Sequence, residues 1–185
     1  MACHVLFKSG PLLVRELGES DVGLMAAWLS DPRVLEYYEG RDRPHDEARV
    51  REHFLARQGD SVTGCIVEYD QSPIGYIQYY LLTDAEKAGY GYPRTLRVYG
   101  IDLFIGVPKL WERGIGTSLV TTTADYLFDS KEADSVVVDP QTWNTRAVRC
   151  YEKSGFKKVK LLPAHELHEG AMRDCWLMER SNTPS

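Results

Sequence analysis

The sequence predicts one α/β domain of the α+β kind, a mixed sheet of about seven strands flanked by helices, and three observations lead there. The 185 residues suffice for one ordinary domain with a sizeable core and leave little room for a second, so 1–185 is expected to be a single domain with its core over about 11–180. Hydrophobic residues make up 43% and charged residues 26%, near the soluble globular average, which excludes disorder over most of the length. The local patterns run strand, two helices, three strands, helix, strand, helix, two strands, an order that a sheet covered by helices accommodates.

Leu12 to Leu17 reads as the first strand. Glu19-Ser20-Asp21 then supplies N-cap chemistry for a helix carrying Leu24, Met25, Ala27, Trp28 and Leu29, which Asp31-Pro32 closes. Val50, Phe54 and Leu55 recur at helical spacing and predict an amphipathic helix from Asp46 to about Gln58. Val62 to Tyr69 and Ile74 to Leu82, separated by Asp70-Gln71-Ser72-Pro73, predict an antiparallel hairpin. Thr83 to Thr95, with its glycines, tyrosines and Pro93, reads as a long loop. Leu96 to Ile105 is the next strand, Gly114 to about Phe128 a helix, Ser135 to Asp139 a short strand and Asn144 to Ser154 a helix. Phe156 to Leu161 and Ala171 to Glu179 finish as strands, with a mobile polar tail from Ser181 to Ser185.

Charge and cysteine usage narrow the function classes. With 22 Lys and Arg against 27 Asp and Glu, the formal charge is −5, which does not favour a nucleic-acid partner. No apolar run approaches the roughly 20 residues that span a bilayer, and Met1 to Val5 lacks the pattern of a secretory leader, so neither membrane nor secretion is expected. Cys3, Cys65, Cys150 and Cys175 are scattered without a C-x-x-C pair, which points to reduced thiols and a cytoplasmic location.

Two segments carry chemistry. Arg113-Gly114-Ile115-Gly116-Thr117 follows a strand and opens a helix, where glycines let the backbone approach a phosphate and the first-turn N–H groups hold its charge. Arg113 adds a cationic clamp. A dinucleotide fingerprint would need a third glycine and a P-loop a Gly-Lys-Ser/Thr; neither is present, and an ordinary glycine turn is the structural alternative. The second segment is Asn144 to Phe156, where Asn144 and Tyr151 lie seven apart on one helix face, roughly 10 Å along the axis. Gly155 is placed to end that helix in the left-handed conformation. The plainer reading makes Asn144 an N-cap and Tyr151 a packing residue.

Together the two segments resemble the acetyl-coenzyme A signature of the GNAT superfamily of N-acetyltransferases, Q/R-x-x-G-x-G/A followed by N-x-x-A-x-x-x-Y-x-x-x-G-F. Asn144, Ala147, Tyr151, Gly155 and Phe156 match the second pattern, and Gly114 and Gly116 the first, with Trp111 where Gln or Arg is usual. The segments Arg33 to Asp42, Pro73-Ile74-Gly75-Tyr76, Tyr99-Gly100-Ile101-Asp102, Val138-Asp139-Pro140 and His165 to Gly170 further resemble aminoglycoside 6′-N-acetyltransferases. The likeness is strongest to the acetyltransferase half of the bifunctional resistance enzyme and its single-domain relatives, over Leu12 to Glu179. The resemblance implies a mostly antiparallel GNAT sheet, acetyl-coenzyme A as co-substrate, no metal, and an aminoglycoside of the kanamycin, tobramycin or gentamicin type as acceptor, in a monomer conferring antibiotic resistance.

Acetyl transfer to an amine requires a neutral amine, a polarised thioester carbonyl and a proton for the departing thiolate. An alkylamine resembles lysine, with an unperturbed pKa of about 10.4, so it arrives as an ammonium. Asp102, in the strand before the glycine turn, is the candidate that holds it and accepts its proton, directly or through water. Leu103, Phe104 and Ile105 would offer strand backbone groups to the pantetheine arm; Arg113, Gly114, Ile115, Gly116 and Thr117 would hold pyrophosphate; Asn144 would meet the pantetheine amides. Tyr151 is the candidate acid for the thiolate, a tolerable leaving group with a thiol pKa of about 8.5. For a polycationic acceptor the walls should be carboxylates and aromatic faces, for which Glu36, Tyr37, Tyr38, Tyr99 and Asp139 are the candidates beside Asp102. Strand alternation sets Tyr99 opposite Asp102 unless a bulge intervenes. The H-x-x-H of His165 and His168 is not the zincin pattern and reads as a loop near the substrate. A peptide N-terminal acetyltransferase and a non-catalytic coenzyme- or antibiotic-binding module remain the alternatives.

Overall fold

Eight strands form one mixed, mostly antiparallel sheet in a computed structural model describing residues 4–59 and 61–182. They are β1 (Val5–Ser9), β2 (Leu12–Glu16), β3 (Val62–Tyr69), β4 (Ser72–Leu81), β5 (Val98–Ile105), β6 (Ser135–Val138), β7 (Lys157–His168) and β8 (Ala171–Ser181). Their spatial order is β1-β2-β3-β4-β5-β6-β8-β7. The helices flanking the sheet are α1 (Val22–Trp28), α2 (Pro32–Leu35), α3 (Glu47–Val50), α4 (Asp84–Tyr90), α5 (Ile115–Lys131) and α6 (Thr145–Lys153). Among the described residues no helix is long and apolar enough to cross a membrane.

Two compact units are defined, one of Met1–Tyr79 with Asp102–Arg113 and one of Tyr80–Ile101 with Gly114–Ser185. In the first, Val22, Met25 and Trp28 recur three apart on α1 and bury one helix face with Leu35, Val50, Ile66 and Phe104. In the second, Leu119, Val120, Ala124 and Leu127 line the buried face of α5, and Val98, Val137, Leu162 and Leu177 form a cluster from four strands. The parallel ladder between β5 and β6 covers Val98 to Gly100 against Ser135 to Val137.

Several elements differ from the expectation. The eighth strand is β1, which pairs antiparallel with β2; its half-exposed residues carry little alternation and gave no signal. Asp21 does not cap α1, because its carboxylate takes the Gly18 N–H at 2.9 Å and both terminal nitrogens of Arg15 at 2.8 and 2.9 Å. Asp31-Pro32 opens α2 rather than closing α1: Asp31 accepts the Arg33 N–H at 2.9 Å, and proline is at home in a first turn, where its N–H would be unpaired anyway. The helix starting after Asp46 is four α-helical residues followed by a π-helical turn, Arg51–Leu55. Within the presumed loop at Thr83 to Thr95 lies α4, capped reciprocally by Thr83 and Glu86 and stopped by Gly91 at φ 90°. Strand β7 runs on to His168, so His165 and His168 stand in a hairpin strand and not in a loop. Ser181 ends β8 opposite Ser135, and Asn182 bonds Ala133 and Asp134, which ties down the start of the tail; 183–185 and Cys3 lie outside the described residues.

Candidate active site

Asp102 sits half-buried in β5, and its setting is built from two neighbouring strands. The Gln78 amide on β4 donates to Asp102 Oδ2 at 2.8 Å, and the Tyr76 hydroxyl donates to Gln78 Oε1 at 2.9 Å. Residues two apart on a strand share a face, so Tyr76 and Gln78 project together. Tyr76 is 1% exposed, and burial pushes its hydroxyl pKa far above the ordinary tyrosine value, so it stays a donor and fixes which way the Gln78 amide points. On β3, a Cβ at Gly64 would stand 2.6 Å from the Tyr76 hydroxyl oxygen, so the absent side chain is what admits it. Gln78 and Tyr76 were not among the candidates read from sequence. The available signal was a lone glutamine inside an otherwise apolar strand.

In the same unit, the aromatic candidates gather around the end of β5. Tyr38 packs on Phe104 with ring centroids 4.8 Å apart, and Tyr37 meets Trp111 edge-on at 5.9 Å. Phe104 is buried between Trp28, Tyr38 and Tyr76, while Leu103 and Ile105 are half-buried. Trp111, at the position where the family motif carries Gln or Arg, donates its indole N–H to the Ile105 carbonyl at 2.8 Å. It thus braces the strand end. Glu36 follows α2 and is half-buried, and Arg113 is exposed.

In the second unit, Gly114 takes φ 79° and begins α5 without a side-chain cap. The first bond along the helix runs from Ser118 N–H to the Gly114 carbonyl, so the N–H groups of Ile115, Gly116 and Thr117 precede the helical ladder. This is a fit for an anion such as the coenzyme pyrophosphate. Gly116 has a second role, since a Cβ there would lie 3.4 Å from Cys150 Sγ on α6. Asn144 caps α6, its side-chain oxygen accepting the Ala147 N–H at 3.2 Å, which accords with the plainer reading of that residue. The end of α6 is a Schellman motif: Gly155 N–H bonds Glu152 O, Phe156 N–H bonds Tyr151 O, Gly155 has φ 90°, and the Tyr151 and Phe156 rings lie 5.9 Å apart. The Y-x-x-x-G-F spacing therefore has a structural cause, and it sets the Tyr151 ring on Phe156. Tyr99 is buried beside Arg97, whose guanidinium faces the Tyr99 hydroxyl at 3.5 Å and bonds the Lys131 carbonyl at the end of α5.

Asp139, just past β6, is engaged by two side chains. His165 Nε2 lies 2.9 Å from Asp139 Oδ2, and the Tyr90 hydroxyl of α4 donates to the same oxygen at 3.3 Å. The hydrogen bond from His165 to Asp139 raises the imidazole pKa above its ordinary value against the opposing effect of burial. Among the described cysteines, burial pushes Cys65 and Cys175 up to about 12 and raises Cys150, so none is a ready nucleophile.

The sheet, the uncapped glycine turn and the Asn144 to Phe156 helix define an acyl-coenzyme A transferase scaffold. The profile of the acetyltransferase (GNAT) domain matches residues 18–163, and the chain belongs to that family. It shares 31% identity over 147 residues with the aminoglycoside N(6′)-acetyltransferase type 1 of Klebsiella pneumoniae, spanning 78% of this chain and 73% of that one. Among solved structures, the aminoglycoside acetyltransferase AAC(6′)-Ib in complex with coenzyme A and kanamycin superposes with a TM-score of 0.73 at 25% identity, over 92% of this chain and 95% of that one. The same enzyme with ribostamycin and coenzyme A gives 0.72 at 26% identity, over 92% and 93%.

Proposed function

We propose that this protein is an aminoglycoside 6′-N-acetyltransferase that moves an acetyl group from acetyl-coenzyme A to the 6′-amine of an aminoglycoside in one ternary complex, giving antibiotic resistance. The observation that carries the reading is the 31% identity with an enzyme of that name over 78% of the chain, which takes in both site carboxylates. The 6′ position rests on that likeness. The free thiols of Cys65, Cys150 and Cys175 agree with a cytoplasmic enzyme, which we take to act as a monomer.

Acetyl-coenzyme A supplies an activated acyl group as a thioester. The chain's own residues do the rest. Backbone N–H groups of Ile115, Gly116 and Thr117, with Arg113 nearby in sequence, hold the pyrophosphate; the Asn144 amide nitrogen, not used by the helix cap, meets a pantetheine carbonyl. Main-chain groups of Leu103 to Ile105 orient the pantetheine arm and polarise the acyl carbonyl. Asp102, oriented by the Gln78 amide at Oδ2, binds the acceptor ammonium and takes one proton from it. Tyr151 donates a proton to the departing sulfur as the C–S bond breaks, and the second proton shed by the acylated nitrogen restores the Tyr151 hydroxyl through water. The raised thiols support direct transfer without an acetyl-cysteine.

Asp139, Glu36, Tyr37, Tyr38 and Tyr99 are assigned to the acceptor. The test is coenzyme A release with kanamycin and with a peptide amine as competing acceptors. Robust turnover with the peptide and none with kanamycin would overturn the proposal, and tight kanamycin binding without product would make the protein a sequestering module.

A further inference from the structure

We propose that His165 competes with the acceptor's ammonium group for the Asp139 carboxylate, making it a residue that sets acceptor affinity and links it to a proton. The inference rests on the assignment of Asp139 to the acceptor and concerns the regulation of that same site.

The geometry that delivers His165 to Asp139 is built into the hairpin. Leu162 pairs with Cys175 and Glu166 with Arg173, so three residues of β7 stand against one of β8. Such a bulge re-aims a side chain. Ala164 within it takes φ 45°, a left-handed conformation disfavoured for a residue with a Cβ, and its N–H is held by Asp174 Oδ1 at 2.8 Å. The same stretch of β8 fixes the segment after Asp139: Thr142 N–H donates to the Asp174 carbonyl and Trp176 N–H to the Pro140 carbonyl, each at 2.9 Å. Bulge and carboxylate are thus registered on neighbouring residues of one strand.

An imidazolium N–H and an alkylammonium N–H are the same class of donor to a carboxylate. Side-chain exposures of 31% for His165 and 32% for Asp139 leave the pair within reach of a ligand. With His165 charged, the pair is neutral and its cation repels a cationic acceptor. With His165 neutral, its Nε2–H tautomer still donates to Asp139, and the full carboxylate charge faces the ligand. The groups that face the imidazole are Asp139 past β6, Tyr90 from α4 and Glu166 on β7. Asp139 and Glu166 are the anions that favour the charged imidazole, so protonation persists toward neutral pH. Binding of the ammonium then releases one proton from His165 to solvent.

The experiment is calorimetric titration of kanamycin into enzyme saturated with coenzyme A, from pH about 5.5 to 8, a window bracketing histidine titration, in two buffers of different ionisation heat. Wild-type affinity should rise at least about fivefold from the acid to the alkaline end, with proton release on binding. His165→Gln keeps an N–H donor but no charge; it should bind at acid pH as tightly as wild type does at alkaline pH and release one proton fewer. A His165→Gln profile superimposed on wild type overturns the inference. Asp139→Asn separates the two levels: if it weakens binding while His165→Gln changes nothing, only the role of His165 fails, and if it binds kanamycin like wild type, Asp139 leaves the acceptor site and both fail. Should His165→Gln not fold, the imidazole resonance of wild-type His165 reads the same linkage, with its pKa falling as kanamycin binds; an unmoved pKa overturns the inference.

Discussion

Asp102 receives its hydrogen bond from Gln78, a neutral amide whose oxygen is fixed by the buried Tyr76 hydroxyl, whereas Asp139 receives its hydrogen bonds from His165 and Tyr90 on a surface about one-third exposed. In the first arrangement, the two side chains that orient Asp102 carry no charge near neutral pH and hold one geometry. The second can change charge and be displaced by a ligand. A proton acceptor needs a fixed lone pair aimed at the amine, and a binding carboxylate needs partners that yield, so the difference matches the two tasks assigned to these residues.

The sharpest way to break the comparison is Asp102→Asn. Removing a positioned base should lower kcat by ~10²- to 10⁴-fold while coenzyme A affinity stays unchanged, read from steady-state kinetics alongside direct binding. A variant that keeps its kcat takes Asp102 out of the reaction. Next in size is Gln78→Leu. A donor to a carboxylate favours its charged form, so losing it raises the proton affinity of Asp102 and moves the acid limb of the kcat/KM profile to higher pH, with a loss of about tenfold at neutral pH. A merely structural glutamine would lower activity without moving that limb. Asp139→Asn should instead raise the acceptor KM by about tenfold and leave kcat nearly intact, the pattern of a binding interaction.

The two regions were also unequally legible in the sequence. Asp102, Asn144, Tyr151, Gly114 and Gly155 could be placed because a glycine at a helix boundary and a strand carboxylate are local patterns, and the Schellman end of α6 follows from Gly155-Phe156 alone. The partners of both aspartates are tertiary. Gln78 meets Asp102 from a neighbouring strand, and nothing local in Ile74 to Leu82 specifies that pairing. His165 reaches Asp139 through a bulge in β7 beyond Leu161, where the expected strand ended, and nothing local in the sequence marks that bulge. The Thr83 to Glu86 capping box is a local signal for α4 that the reading of Thr83 to Thr95 as a loop left unused.

Tyr151→Phe should cost less than any of these, a few-fold in kcat, because a thiolate departs tolerably without full protonation. The expected signature is a loss at neutral pH that narrows toward the alkaline side, where the wild-type phenol ionises, with acceptor KM unmoved. A loss as large as that of Asp102→Asn would mean that protonation of sulfur, and not positioning of the amine, limits the reaction.

The smallest expected effect concerns stability, and it has the opposite sign to the effect on acceptor binding. The folded pKa of His165 is raised above its unfolded value, about 6.5, so the ion pair with Asp139 stabilises the fold fully below that value and the gain is lost as pH rises through the folded pKa. With both side chains about one-third exposed, the gain should be under about 1 kcal/mol. Melting curves of wild type and His165→Gln should therefore separate at acid pH and converge on the alkaline side. The proton that strengthens the second unit is then the one that must leave before the acceptor binds well.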